Sequence, residues 1–326
     1  MESDKSEERQ TSSQSLLQSS EPEHVEVSST AIARNDVLAT AYDTFQSQVE
    51  IAGQIFTTDL DILNYILTMF SEFNIIVCGS PRVGKSTLIN AICSQTLAET
   101  SPGLDSCTQD ITCYALTDTC YINNQWINYT YNFWDTPGFE NWNENDIRKN
   151  VAQIVEKPGS DPLCMIFCAA PGSFAKTEQL KWLLDICIQE RKIFCALVVT
   201  NKWAGLQDKR MAILNKYKEL LSHYHPQTCE EKQGITYFGN VGLCTMVNAQ
   251  PYVDEEQGIN KPQQGIDELL EGIMTCLNSE GKVFHWCMAT MQKKGLVDSL
   301  MEKMKHIFPN LQDFLTDLFT NKKSVR

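Results

Sequence analysis

Gly79-Ser80-Pro81-Arg82-Val83-Gly84-Lys85-Ser86-Thr87 is the stretch whose reading decides the fold. It fits G-x-x-x-x-G-K-[ST] in full, the pattern of a glycine-rich loop whose backbone N–H groups curl around phosphate oxygens. Its flanks supply the context such a loop needs. The apolar run Phe73–Cys78 precedes it as a strand, and Leu88, Ile89, Ile92 and Cys93 follow at helical spacing. The start of that helix adds its partial positive charge to the loop. Lys85 is placed to reach the β- and γ-phosphates, and the Ser86 hydroxyl to ligate Mg2+.

Outward from this loop, short apolar runs alternate with helical patterns from Phe73 to about Leu277. This is the signature of an α/β fold, a mostly parallel sheet covered by helices. The runs are Phe73–Cys78, Ile111–Ile122, Trp126–Asp135, Leu163–Ala169, Ile193–Thr200 and Val241–Asn248. Helices are predicted at 85–95, 144–156, 177–190, 208–223 and 264–277. Ile127, Tyr129, Tyr131 and Phe133 alternate with polar neighbours, which marks a strand with one buried face. Asn123-Asn124 before it reads as a tight turn, so the second and third runs form a hairpin. One antiparallel strand is therefore expected on an otherwise parallel sheet. The third run ends in Trp134-Asp135-Thr136-Pro137-Gly138. An Asp at the carboxyl end of a strand beside the loop strand completes a Mg2+ shell, and Gly138 lets a backbone N–H approach the γ-phosphate.

With both elements in view, Ile75–Ile92 and Asp135–Gly138 resemble the P-loop GTPases, in particular their Era-like and immunity-associated branches. The first motif there commonly reads G-x-P-x-V-G-K-S-x-L-x-N, against Gly79 through Asn90 here. The resemblance covers about 73–277. It implies a G domain that binds GTP or GDP with Mg2+ and acts as a slow switch or assembly GTPase. It implies nucleotide contacts from Gly79, Ser80, Pro81, Arg82, Val83, Gly84, Lys85, Ser86 and Thr87. Further contacts come from Asp135, Gly138, Asn201, Lys202, Asn248 and Ala249, and the Mg2+ ligands are Ser86, Thr108 and Asp135. Thr108, directly before the second strand, is the switch threonine, with Thr100 the alternative. Lys85, Thr108 and Arg82 are the expected catalytic residues. Arg82 resembles the P-loop Arg of guanylate-binding proteins, which swings onto the phosphates; a solvated surface charge is the other reading.

The family reads guanine with Asn-Lys-x-Asp. Here Asn201 and Lys202 are in place, but Ala204 stands where the Asp belongs. Asp208 lies four residues on, and Trp203 either stacks on the base or shields the core. Met246-Val247-Asn248-Ala249 matches the short closing motif, whose backbone N–H donates to guanine O6. Loss of the carboxylate leaves an ATPase or nucleotide-promiscuous enzyme as the first rival, and a nucleotide-binding scaffold with little hydrolysis as the second. Phe139 follows Gly138 directly, where many small GTPases hold a Gln that orients water.

The ends lie outside the resemblance. Residues 1–35 form an acidic tail of disordered composition, with 36–72 a helical extension, 73–278 the G domain and 279–326 a C-terminal helical segment. In that last segment Val297, Leu300, Met301, Met304, Ile307 and Phe308 follow a helical face before Pro309. The terminal helices either pack on the domain or mediate a nucleotide-dependent homodimer. The chain of 326 residues carries 27 Lys+Arg against 41 Asp+Glu, a net charge of −14, which argues against nucleic-acid binding. No apolar run reaches the ~20 residues that span a bilayer. The 13 cysteines sit mostly in apolar runs, as small buried hydrophobes in a reducing compartment do, so the cytoplasm is expected.

Overall fold

A computed structural model describes residues 72–290 apart from 101–110, 123–124, 139–141, 157–159, 174–175, 228, 257 and 278–279, together with residue 302. The acidic tail, the helices of Asp36–Phe70, Thr108, the Asn123-Asn124 turn, Phe139 and the helical face from Val297 onward lie outside the described residues.

β1 (Glu72–Gly79) runs into the glycine-rich loop and α1 (Lys85–Cys93). β2 (Thr112–Ile122) and β3 (Gln125–Asp135) come next. α2 (Glu144–Val155), β4 (Ser160–Ala169), α3 (Thr177–Leu184), β5 (Phe194–Val199) and α4 (Gln207–Ser222) then alternate. Three strands follow, β6 (Glu230–Lys232), β7 (Ile235–Phe238) and β8 (Gly242–Met246). A separate hairpin of β9 (Tyr252–Asp254) and β10 (Ile259–Lys261) precedes α5 (Ile266–Cys276) and α6 (Glu280–Thr290).

The sheet has the order β2-β3-β1-β4-β5-β8-β7-β6. β3, β1, β4, β5 and β8 are mutually parallel, which is the α/β architecture read from the sequence. β2 pairs antiparallel with β3 from Thr112↔Asp135 to Ile122↔Gln125, so the expected hairpin is present. The expectation of a single antiparallel strand is corrected at the other edge, where β7 also runs antiparallel to β8 and to β6. These strands are too short to show a period in sequence, and all three residues of β6 are exposed. Their turn is Gln233-Gly234, with φ of 53° and 77°; two positive values in succession belong to a two-residue hairpin turn.

The central strands bury both faces, so alternate residues serve opposite layers. From β1, Phe73, Ile75 and Val77 join α1, α5 and α6 in one core, while Ile76 and Cys78 join α2, α3 and α4 in the other. The helix expected over 177–190 is α-helical to Leu184 and π-helical over Asp185–Glu190. The wider turn brings Ile186 and Cys187 into the second core together. α2 starts where it does because Asn143 and Asp146 form a reciprocal capping box. Most of the described cysteines are buried. Among the described residues no helix is long and apolar enough to cross a membrane.

α6 packs into the first core. Trp286 is fully buried and its Nε1–H donates to the Leu270 carbonyl at 2.9 Å. Beside it, the His285 ring stacks on Phe73 at 3.5 Å between centroids, and its Nδ1 lies 3.5 Å from the Tyr131 hydroxyl. Burial pushes the His285 pKa well below its ordinary value of 6.5. In the unfolded chain this imidazole takes a proton near 6.5, whereas in the fold it stays neutral. Stability is therefore complete above pH 6.5 and falls as pH drops toward the folded pKa, by up to about 1.4 kcal/mol per pH unit. Urea unfolding at pH 7.5 and 5.5 should show this loss, and His285→Leu should reduce it.

Candidate functional site

The glycine-rich loop leaves the sheet where no side chain fits. Gly79 has φ 143°, and a Cβ on it would lie 2.1 Å from the Cys168 carbonyl oxygen on β4. Cys168 below is buried, and burial pushes its thiol up to about 12, so it packs rather than reacts. The loop then curls back. Lys85 is buried, and its ammonium donates to the carbonyls of Ser80 at 3.1 Å and Gly79 at 3.4 Å. Gly84, φ 86°, is the N-cap of α1 and offers no side-chain cap to the first turn, which also carries no acidic residue. The helix start is thereby left with open N–H groups and positive potential. Val83 faces the core, Arg82 is exposed at φ 60°, and the buried Ser80 hydroxyl has no hydrogen-bond partner among the described residues.

Parallel pairing of β1 with β3 sets Val77 opposite Asp135, so the carboxylate arrives beside the loop. Asp135 is fully buried, and its Oδ2 accepts from the Ser86 hydroxyl at 2.6 Å. Thr136 ties the following turn to the strand through its N–H to the Val77 carbonyl at 3.1 Å. Gly138 lies against the loop itself: a Cβ there would come within 2.2 Å of the Pro81 ring. The two motifs thus meet edge to edge, with Ser86 and Asp135 49 residues apart in sequence and Thr87 half-buried beside them.

At the end of β5, the Thr200 hydroxyl donates to the Val83 carbonyl and lies 3.2 Å from that of Ala169. This residue, passed over in the sequence, joins the Asn201-Lys202 loop to the glycine-rich loop; its position directly before Asn201-Lys202 was the available signal. Asn201 has φ 56°, and its carbonyl accepts from Ala204 N–H at 2.9 Å. Lys202 N–H donates to the Val247 carbonyl at 3.0 Å, which sets this loop beside the closing motif. There Asn248 exchanges two backbone hydrogen bonds with Gln264, and the half-buried Ala249 packs on the core. Asp208 stands exposed in the first turn of α4. Trp203 is half-buried, with Lys202 Nζ and Lys261 Nζ each 5.4 Å from its ring centroid. Arg210 donates to the carbonyls of Ala204 at 2.8 Å and Gly205 at 2.6 Å. Lys261 and Arg210 carried no sequence signal, because each reaches the loop from an element whose placement only the fold defines.

Residues 74–202 match the family model described as 50S ribosome-binding GTPase. Similar solved structures include SelB from Methanococcus maripaludis with the GTP analogue GppNHp, at 18% identity and a TM-score of 0.37, over 64% of this chain and 35% of that one. Era from Aquifex aeolicus bound to GDP·AlF4− shares 18% identity over 64% of this chain and 58% of its own, with a TM-score of 0.36. A dimerization-deficient mutant of Toc33 from Arabidopsis thaliana shares 14% over 74% and 96%, with a TM-score of 0.38. The chain thus spans about a third of the SelB chain's length. No curated protein sequence matches. The family match runs from the loop strand to the Asn201-Lys202 loop, less than half of the 326 residues, and over it the chain is similar to P-loop GTPase G domains.

The contact under Gly79 yields a direct test. Gly79→Ala combines a positive φ with overlap onto a neighbouring backbone, and should cost about 2–4 kcal/mol of stability, measured by urea unfolding without nucleotide.

Proposed function

We propose that the G domain binds GTP and GDP and works as a slow switch, hydrolysing GTP with water to GDP and phosphate. The observation that carries this reading is the 2.6 Å pairing of Ser86 with Asp135 at the mouth of the loop. A hydroxyl and a carboxylate, both hard oxygen donors and already adjacent, suit Mg2+. Ser86 and Asp135 would hold the ion, with Thr108 as the third ligand, and the ion would supply positive charge to offset the charge developing on the phosphate oxygens. Lys85, released from the Ser80 and Gly79 carbonyls, moves onto those phosphates. Backbone N–H groups from Gly79 to Thr87 and the start of α1 bind the remaining oxygens. Gly138 presents its N–H to the γ-phosphate, so that losing this group frees the turn from Pro81. Asn201 and Lys202, with Asn248 and Ala249, bound the base.

Lys85→Ala should abolish tight GTP binding without unfolding the chain, as equilibrium binding and a thermal melt would show together. Asp135→Ala should weaken GTP binding in Mg2+ and leave binding in chelator far less changed. An equal loss in both conditions removes Asp135 from the metal shell.

Hydrolysis is slow because Phe139 neither donates nor accepts a hydrogen bond. A scaffold with scarcely any turnover is the reading this position favours as second. Arg82 offsets the deficit: it stands exposed on the loop, three residues before Lys85, free to turn onto the β–γ bridge. Self-association through the terminal helices turns it inward. Specific activity should then rise with protein concentration, by up to about 10³-fold as for other arginines supplied to this transition state. Arg82→Ala should remove that rise and leave affinity nearly intact; a rate independent of concentration in both proteins contradicts the role.

A further inference from the structure

We infer that the base pocket accepts 6-oxopurine nucleotides as a class, reading the O6/N7 edge with Trp203 and Lys261 and leaving the 2-position unread. This rests on the nucleotide-site reading above and concerns the base alone.

The argument is an inventory of donors and acceptors. Guanine offers donors at N1 and N2, and acceptors at O6 and N7; adenine replaces the O6 acceptor with an amino donor. A carboxylate after Asn201-Lys202 would accept from N1–H and N2–H, but position 204 is alanine. Backbone carbonyls are the next acceptors within the two loops, and six of them are engaged inside the protein. Ala204 and Gly205 carbonyls take the Arg210 guanidinium, at 2.8 and 2.6 Å. The Asn201 carbonyl takes Ala204 N–H, the Val247 carbonyl takes Lys202 N–H, and the Asn248 carbonyl takes Gln264 N–H. The Ala249 carbonyl takes the Gln263 side-chain amide at 2.9 Å. Asp208 is exposed on α4.

Donors, by contrast, are in surplus. Trp203 Nε1–H is buried without a partner among the described residues, and a buried donor left unmet is costly. Lys202 and Lys261 hold their ammonium groups at the same 5.4 Å from one indole centroid. Cation–π attraction holds each there, while their like charges repel. Among the described residues neither lysine takes part in an ion pair. Lys261 is brought to the ring by the β9–β10 hairpin, whose base is closed by the Asn248–Gln264 bridge. A pocket with such walls favours a base edge made of acceptors, which guanine, hypoxanthine and xanthine present at O6 and N7. It disfavours the 6-amino group of adenine, because a donor there faces donors.

The test is competition of labelled GTP on the full chain in Mg2+ by unlabelled GTP, ITP, XTP and ATP. GTP and ITP should compete within about threefold of each other, since the 2-amino group finds no partner. ATP should be weaker by at least about tenfold. Lys261→Ala and Trp203→Phe should narrow the gap between GTP and ATP while Lys85 still supports binding. Ala204→Asp should open a gap of about tenfold or more between GTP and ITP. A wild-type preference for GTP over ITP of that size overturns the inference and reveals an acceptor for N2. Equal competition by ATP overturns it too, because the O6 edge is then unread. A chain that binds none of the four overturns the nucleotide site itself and the base inference with it.

Discussion

The Cys168 carbonyl occupies the place where any side chain on residue 79 would stand. That one steric fact governs the site. It lets β1 and β4 stay paired up to the last residue of β1, so the chain leaves the sheet abruptly and not by gradual fraying. The abrupt exit brings the start of α1 back over the strand end, and the Lys85 ammonium back onto the carbonyls of the loop it has just left. Because β3 lies on the other side of β1, the same exit delivers Asp135 to Ser86. Thr200, at the end of β5, then fastens the third motif to the same loop through Val83. Three distant segments converge because they leave one row of parallel strands at one edge.

Much of this was legible in the sequence. The nine residues from Gly79 to Thr87 demand a strand before and a helix after, and the apolar spacing on both sides meets that demand. β2 and β3 announced themselves through length and period, since an eleven-residue strand has room to display alternation. β6, β7, β9 and β10 did not, because three or four residues cannot show a period. The π-helical end of the 177–190 helix was hidden for a related reason: a period of 3.6 absorbs one extra residue without an obvious break. In the site, the residues within a motif were readable and the residues that brace the motifs were not. Thr200, Arg210 and Lys261 act on neighbours 5 to 117 residues away along the chain, and nothing local to them marks the partner.

The Asn201-Lys202 loop holds Ala204 where the resemblance leads one to expect an Asp, and the surrounding structure is arranged consistently with that change. Arg210 engages the carbonyls of the loop, and the indole next to the missing carboxylate is flanked by two cations. Beside Ala204 the two ammonium groups at the Trp203 ring carry the opposite sign to the charge a carboxylate would confer.

Among the described residues, none of the β9–β10 hairpin belongs to either apolar core; Val253 projects into solvent, and Lys261 reaches the Trp203 ring. It is inserted between β8 and α5, and is closed at its base by one backbone bridge. Changes in its length or composition therefore leave the packing of the sheet untouched. A lineage carrying this arrangement can vary the surface beside the Asn201-Lys202 loop while its foldability stays constant. That surface, in such a chain, is open to selection separately from the scaffold that holds the glycine-rich loop.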